Sequence, residues 1–239
     1  MKIRTIACQQ PLHEPLSEES LCRINEFAPD FVCLPEHYPL AKEIKSLQQA
    51  ASMYLERKNY LAGLSAKVGA ILIGGTLTES APAGYYNTCY VFEGGRELGS
   101  YRKVYPTSGE QARGVLQGTE FKAFEARGVR AGVLICADVL NDRSFDGLVS
   151  LAAQITFVPT ASPFREGETV PEKYERDRSI FLEAARKMQG PIVKACGVGT
   201  TFGHRIQGRS LIVTPEGIVA RAESHQEHEP LLLFAELEV

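Results

Sequence analysis

The chain lacks several features that would each assign it to a class of function. No run of about 18 apolar residues occurs, so no helix that spans a bilayer is expected. The net charge is only -3 at pH 7, and we therefore expect neither nucleic acid nor a membrane as a partner. The first residues lead directly into a predicted strand, so we expect no signal peptide there.

The cysteines also lack the spacing of a metal or redox site. No Cys-x-x-Cys pair and no His-Glu-x-x-His motif is present, and we expect no metal site. A chain of 239 residues can build a core without disulfides. Some of the cysteines lie in apolar runs, where cysteine acts as a small hydrophobic residue: Cys8, Cys33, Cys89 and Cys196. We expect free thiols in a reducing cytoplasm.

Two further patterns do not indicate sites. The glycine-rich segment 197–203 differs in spacing from a dinucleotide-binding loop, and no helical pattern follows it, which argues against a Rossmann-type cofactor enzyme. His225 and His228 lie in a polar stretch that is typical of a solvated loop.

What is present is a repeated alternation of strand and helix patterns. The apolar periodicity predicts strands over residues 4–9, 31–35, 70–76, 87–93, 97–103, 121–125, 129–136, 155–159, 191–196, 210–213, 218–222 and 231–237. It predicts helices over residues 18–27, 44–68, 145–153 and 172–187. This mixture of βαβ units and hairpins predicts a layered α/β fold with mixed sheets. No low-complexity linker divides the chain, so we expect one domain over residues 1–239.

Reactive side chains stand at the ends of three predicted strands: Glu36, Lys103 and Cys136. Strand carboxyl ends are where α/β sheets place their ligands. An acid, an amine and a thiol together indicate an acyl transferase or hydrolase with a cysteine nucleophile. Because side chains alternate along a strand, Arg102 and Lys103 face opposite sides, and only one of the two can enter the pocket.

A series of segments in this order resembles the nitrilase, or carbon–nitrogen hydrolase, superfamily over nearly the full length of the chain. The segments are Leu34-Pro-Glu36, Tyr86-Asn-Thr88, Tyr101-Arg-Lys103, Gly132-Val-Leu-Ile-Cys136-Ala-Asp138, Phe157-Val-Pro-Thr-Ala-Ser-Pro163, Gly208-Arg-Ser210 and Thr214-Pro-Glu-Gly217. The resemblance implies a four-layer α-β-β-α sandwich that forms a homodimer or a larger homo-oligomer. It implies chemistry that needs no metal and no cofactor.

The resemblance also implies a role for each reactive group. Cys136 would be the nucleophile that forms an acyl thioester, and Lys103 would favour its thiolate. Glu36 would be the general base, and we expect burial to raise the pKa of its carboxyl. Lys103 and the backbone N–H of Ala137 would stabilise the oxyanion. Asn87 is expected to cap a turn or to hold the lysine strand.

Other assignments are less direct. Glu110 resembles a second active-site glutamate in the loop after the lysine, whereas Glu120 begins the next predicted strand and is a poorer candidate. Thr160 stands at a strand end and is expected to line the substrate pocket. Asp138 is expected to be structural, through bonds to the backbone or to Arg143.

The implied activity is hydrolysis of a non-peptide carbon–nitrogen bond in a small amide, an ω-amide or an N-carbamoyl compound. Nitrile hydrolysis and acyl transfer to an amine use the same groups and remain alternatives, as does a catalytically inactive scaffold. Loops determine specificity in such folds. The loops expected to shape this pocket cover residues 36–41, 105–118, 138–143 and 162–169. Three of them carry an arginine that could bind a carboxylate of the substrate: Arg113, Arg143 and Arg165.

Overall fold

The computed structural model describes residues 1–239. The strands are β1 Lys2–Pro11, β2 Phe31–Cys33, β3 Ile71–Ile73, β4 Leu77–Ala81, β5 Gly84–Glu93, β6 Arg96–Arg102, β7 Lys122–Ala126, β8 Val129–Val133, β9 Ile155–Thr160, β10 Ile192–Thr201, β11 His204–Ile206, β12 Leu211–Thr214, β13 Gly217–Arg221 and β14 Leu231–Glu238. The α-helices are α1 Glu18–Phe27, α2 Leu47–Ser52, α3 Tyr54–Val68, α4 Ser108–Ala112, α5 Asp142–Ser150, α6 Val170–Asp177 and α7 Glu183–Met188.

Every predicted strand is present, and the short strands β4 and β11 are additional. The predicted helix over 44–68 is two helices, because Met53 leaves the helical conformation between α2 and α3. The predicted helix over 145–153 begins earlier, since the Asn141 side chain caps α5 by accepting a hydrogen bond from the Arg143 N–H. A π-helical turn, Arg178–Leu182, interrupts the predicted helix over 172–187.

The strands form two mixed sheets. The first has the order β6-β5-β3-β2-β1-β14, with β4 also beside β5 and a parallel centre of β1, β2 and β3. The second has the order β7-β8-β9-β10-β12-β13, with a parallel centre of β8, β9 and β10. The sheets join where Gln10 of β1 pairs with Gly197 of β10. Phe31 and Phe157 stack between them, with ring centroids 5.2 Å apart.

Helices cover the outer face of each sheet. Val32 of β2 packs in one buried cluster with Ile24 of α1 and Leu61 of α3. On the other side, α5 lies against β8 so closely that a Cβ at Gly132 would be 2.9 Å from the Leu148 side chain. The predicted α-β-β-α sandwich is therefore confirmed. None of its helices combines the length and apolar character needed to cross a membrane.

Candidate active site

The structure brings the predicted site residues to one edge of the sandwich. Glu36, Lys103, Glu110 and Cys136 all line a cavity of about 420 Å³. Glu36 follows β2 and Lys103 follows β6 in the first sheet, whereas Cys136 follows β8 in the second. The cavity therefore lies where the strand ends of both sheets meet.

Glu36 is held in place by its neighbours on both sheets. Its Oε1 accepts a hydrogen bond from Asn87 Nδ2 at 2.8 Å, and its Oε2 accepts one from the Ala161 N–H at 2.9 Å. The turn before Glu36 packs against Gly75, where a Cβ would lie 2.2 Å from the Pro35 carbonyl oxygen. Gly75 also has φ +63°, so glycine alone suits this close approach.

Lys103 lies between two carboxylates. Its Nζ is 2.9 Å from Oε1 of Glu36 and 2.8 Å from Oε1 of Glu110, and its side chain is 1% exposed. Its backbone N–H donates to the Asn87 carbonyl at 2.9 Å, so Asn87 holds the lysine strand and also contacts Glu36. Arg102 faces the opposite side, where it pairs with Glu79 at 2.6 Å.

Glu110 is oriented by its own helix. Its Oε2 accepts a hydrogen bond from the Thr107 N–H at 2.7 Å, and the Thr107 hydroxyl accepts one from the Glu110 N–H. This reciprocal cap begins α4 and directs the carboxylate at Lys103. Glu120, the poorer candidate, instead pairs with Lys122 at 3.3 Å on the surface.

Cys136 occupies a strained position at the end of β8. Its φ is +46°, which is unusual for a residue with a side chain and is typical of functional sites. Asp138 fixes this turn by accepting hydrogen bonds from the Ile135 N–H at 2.9 Å, the Tyr101 hydroxyl at 2.8 Å and the Tyr105 N–H at 2.7 Å. Asp138 thus bonds to backbone and to a tyrosine, and Arg143 is not among its partners.

The pKa values differ from the expectation of a raised carboxyl pKa and a thiolate. Burial by itself raises the pKa of Glu36, but the nearby Lys103 ammonium and His37 outweigh burial and lower it to about 2. Burial and the Glu36 charge raise the pKa of the Cys136 thiol, although Lys103 opposes them. Burial lowers the pKa of Lys103, but Glu36, Cys136 and Glu110 raise it more. At rest the site holds a carboxylate, an ammonium and a neutral thiol.

One group of side chains could be considered for a metal ion. Glu36, His37 and Glu110 have ligand atoms within 4.8 Å of one another. The ammonium of Lys103, however, already lies within 2.9 Å of both carboxylates. A cation bound there would meet a like charge inside a buried site, so the arrangement favours the lysine over a metal.

Ala137 and Thr160 lie on a second cavity of about 260 Å³, which shares Cys136 with the first. The Thr160 hydroxyl donates to the Val158 carbonyl at 3.0 Å. Cys136 is therefore accessible from two spaces, one containing the charged cluster and the other containing Ala137 and Thr160.

The outer wall of the first cavity was not predicted from the sequence. The hairpin of β10 and β11 supplies Phe202, whose ring packs edge-on against the His37 ring with their centroids 5.1 Å apart. Arg205 stacks on Phe164 with its guanidinium carbon 3.9 Å from the ring centroid. Gly203, which follows Phe202 and has φ +84°, is the turn signal that could have identified this hairpin.

Comparison with known proteins identifies the family. The family model for carbon-nitrogen hydrolases matches residues 15–239. An omega-amidase from Xenopus tropicalis is 26% identical over 91% of this chain and 83% of its own length. The glutamine-dependent NAD(+) synthetase of Rhodobacter capsulatus is 24% identical over 80% of this chain, and the chain spans only 34% of that protein.

A solved structure shares the fold. It is a variant of the amidase from Nesterenkonia sp. AN1 that shows covalent addition of the acetamide moiety of fluoroacetamide at the active site cysteine. The two chains superimpose with a TM-score of 0.82 at 20% identity, over 98% of this chain and 90% of the amidase.

Proposed function

Because the chain belongs to the carbon–nitrogen hydrolase family, we propose that it cleaves the carbon–nitrogen bond of a small amide through a thioester on Cys136. The observation that carries this proposal is the first cavity, where the Cys136 thiol faces the Glu36 carboxylate and the Lys103 ammonium. The similarity to an omega-amidase supports an amide as the substrate class.

In the first step, the ionised Glu36 takes the proton of the Cys136 thiol as the sulfur attacks the amide carbon. A carbon–sulfur bond forms, and the carbonyl electron pair moves onto oxygen. Lys103 and the N–H of Ala137 donate to this oxyanion, where positive charge and fixed donors are most effective. Proton transfer accompanies attack because the raised pKa of the thiol leaves almost no free thiolate.

In the second step, protonated Glu36 gives its proton to the departing nitrogen, the carbon–nitrogen bond breaks, and ammonia or an amine leaves. Water then enters, and Glu36 takes one of its protons as the oxygen attacks the thioester. The second tetrahedral intermediate collapses with cleavage of the carbon–sulfur bond, and Glu36 returns the proton to sulfur. The products are a carboxylic acid and the restored thiol, with no net change in the enzyme.

Glu110, Asn87 and Thr160 support these steps in the proposal. Glu110 holds the Lys103 ammonium through two contacts at 2.8 and 2.9 Å. Asn87 donates to Glu36 and so keeps one carboxylate oxygen oriented while the other contacts the Ala161 N–H. Thr160 lines the space in which the acyl group of the thioester would lie.

Three further properties remain predictions, the oligomer from the family resemblance and the other two from the linker-free sequence and the cysteine pattern. They are a single domain over residues 1–239, a homodimer or larger homo-oligomer, and a location in the cytoplasm. Light scattering of the purified protein measures the mass of the assembly directly, and a monomeric mass would contradict the second property.

The test is intact-mass spectrometry after brief incubation with small amides, ω-amides, N-carbamoyl amino acids and nitriles. We expect an acyl adduct or release of ammonia with the wild type and with Cys22→Ala, which removes an exposed cysteine away from the site. Neither signal is expected with Cys136→Ala. Turnover of nitriles alone, or product that requires an added amine, would select one of the two alternative reactions. Equal activity in Cys136→Ala would exclude the thioester.

A further inference from the structure

The second cavity holds a group of charged side chains that the proposed reaction does not use. Asp177 and four cationic residues line it together with Cys136 and Ala137: Arg165, Arg176, Lys194 and Arg209. Lys194 is 3% exposed and Arg209 is 4% exposed, so these two charges are buried within the protein, whereas Arg176 is partly buried and Arg165 is exposed.

Asp177 is shared among several of these cations. Its carboxylate lies 3.1 Å from Lys194 Nζ and 2.7 Å from a nitrogen of Arg209. Arg221, just outside the cavity, approaches it to 3.8 Å. One carboxylate therefore faces three positive charges.

Glu168 is the second carboxylate of the cluster. It contacts Arg176 and lies 3.8 Å from Arg209. Burial lowers the pKa of Arg176, and the charge of Arg165, which lines the same cavity, lowers it further. Glu227, also near Arg176, is already paired with a lysine at 2.6 Å. Asp177 and Glu168 are thus left to neutralise four cations that are buried or partly buried, Arg176, Lys194, Arg209 and Arg221, while Arg165 is exposed to solvent.

Positive charge without a counter-charge is costly inside a protein, because burial removes the water that would solvate it. Lys194 illustrates this imbalance. Its ammonium has three N–H donors but makes one hydrogen bond, to Asp177, and otherwise lies 4.8 Å from the centre of the Phe181 ring. An oxyanion in the cavity would accept the remaining donors and balance the charge.

The first cavity lacks this imbalance near the reacting groups. There Lys103 is neutralised by Glu36 and Glu110. The other two cations of that cavity lie over aromatic rings at its outer wall, Arg205 over Phe164 and the exposed Arg113 over Phe202. Cys136 borders both cavities, so one molecule can place a carbonyl at the thiol and an anionic group among the cations.

We propose that the second cavity is a subsite for an anionic group, a carboxylate or a phosphonate, on the acyl part of the substrate. Arg176, Lys194 and Arg165 are its binding residues, while Asp177 and Glu168 orient them. The assignment rests on the proposed amide hydrolysis, because it is Cys136 that connects the two cavities.

The first experiment compares matched substrates. Succinamate, glutaramate and adipamate are each assayed beside butyramide, pentanamide and hexanamide, and phosphonoacetamide tests the phosphonate. We expect Arg176→Gln to lower kcat/KM for the preferred anionic amide by about tenfold to a hundredfold, the usual effect of removing a hydrogen bond to a charged group. Its kcat/KM for the neutral amide should change little, and Arg176→Lys should restore part of the loss.

Arg178→Gln is the matched control, since Arg178 is exposed, pairs with Glu175 and lies outside the cavity. It should leave both substrates unaffected. Equal losses for charged and neutral amides in Arg176→Gln would mean a structural role and would overturn the subsite. A selective loss for the anionic amides in Arg205→Gln or in Arg113→Gln, both in the first cavity, would overturn it as well.

The second experiment separates the subsite from the reaction. Calorimetry with Cys136→Ala measures binding of the same amides without turnover. The subsite is supported if Cys136→Ala binds the anionic amides and the double variant with Arg176→Gln does not. This result would hold even if the wild type hydrolyses none of the amides and the proposed function fails. Hydrolysis of neutral amides, with no binding preference for the anionic ones, would keep the function and exclude the subsite.

Discussion

Lys103 Nζ lies 2.9 Å from Oε1 of Glu36, and both side chains are almost fully buried. The pair keeps the general base ionised, because the ammonium lowers the pKa of Glu36 against the effect of burial. It also places the oxyanion donor beside the group that moves the proton, so one contact serves two parts of the proposed chemistry.

Lys103→Met should abolish most activity and destabilise the fold in a pH-dependent way. Loss of an oxyanion donor costs about a hundredfold or more in kcat. Without the ammonium, burial raises the folded-state pKa of Glu36 above its unfolded value, so the variant loses stability as the pH rises through that pKa. Urea unfolding at pH 5 and pH 8 measures the unfolding free energy, and the deficit of the variant relative to the wild type should be larger at pH 8. Arg102→Met, on the opposite face, is the control, and a deficit that does not depend on pH would contradict the argument.

Acid should lower the unfolding free energy of the wild type over a pH range that the folded and unfolded pKa values of Glu36 set. Its pKa is about 2 when folded, whereas an unfolded glutamate has a pKa of about 4.3. A carboxylate whose pKa is lowered by folding stabilises the fold at pH values above its unfolded-state pKa. This contribution is lost as the pH falls towards 2. Glu36→Gln should therefore flatten the decline in unfolding free energy below about pH 4.3. An unchanged slope relative to Glu125→Gln, an exposed carboxylate, would count against this.

Glu110→Gln should lower kcat by about tenfold to a hundredfold, since it removes a charge-assisted contact to Lys103. Glu120→Gln is the matched control, because that residue pairs with Lys122 at the surface. Steady-state assays of both variants on one amide measure the difference. A loss with Glu120→Gln and none with Glu110→Gln would reverse the assignment of the second glutamate.

Tyr101→Phe should disturb the nucleophile turn. It removes a buried hydrogen bond of 2.8 Å to Asp138 and costs about 1–3 kcal/mol of stability. Because Asp138 also binds the backbone on both sides of the site, kcat should fall as well. Tyr90→Phe removes a hydroxyl contact of 2.6 Å to Tyr54, away from the cavity, and should affect stability alone. Denaturation and kinetics on both variants distinguish a positioning role from general destabilisation.

The sequence alone determined the strands and the order of the reactive groups. Apolar periodicity is local, so it located each strand and showed that Glu36, Lys103 and Cys136 stand at strand ends. Helix boundaries were less well determined. The cap at Asn141 depends on a side-chain hydrogen bond, and the interruption at Met53 depends on backbone angles. The periodicity of apolar residues contains neither.

The tertiary structure alone decided the charge states and the second cavity. Burial considered for Glu36 by itself predicted a raised pKa, whereas the fold lowers it by bringing in Lys103 from 67 positions along the chain. In the same way, Asp177, Lys194 and Arg209 come from separate elements, and no local pattern links them. Hydrophobic patterning acts between neighbours in sequence, but electrostatic interactions depend on distance in space, which only the folded chain defines.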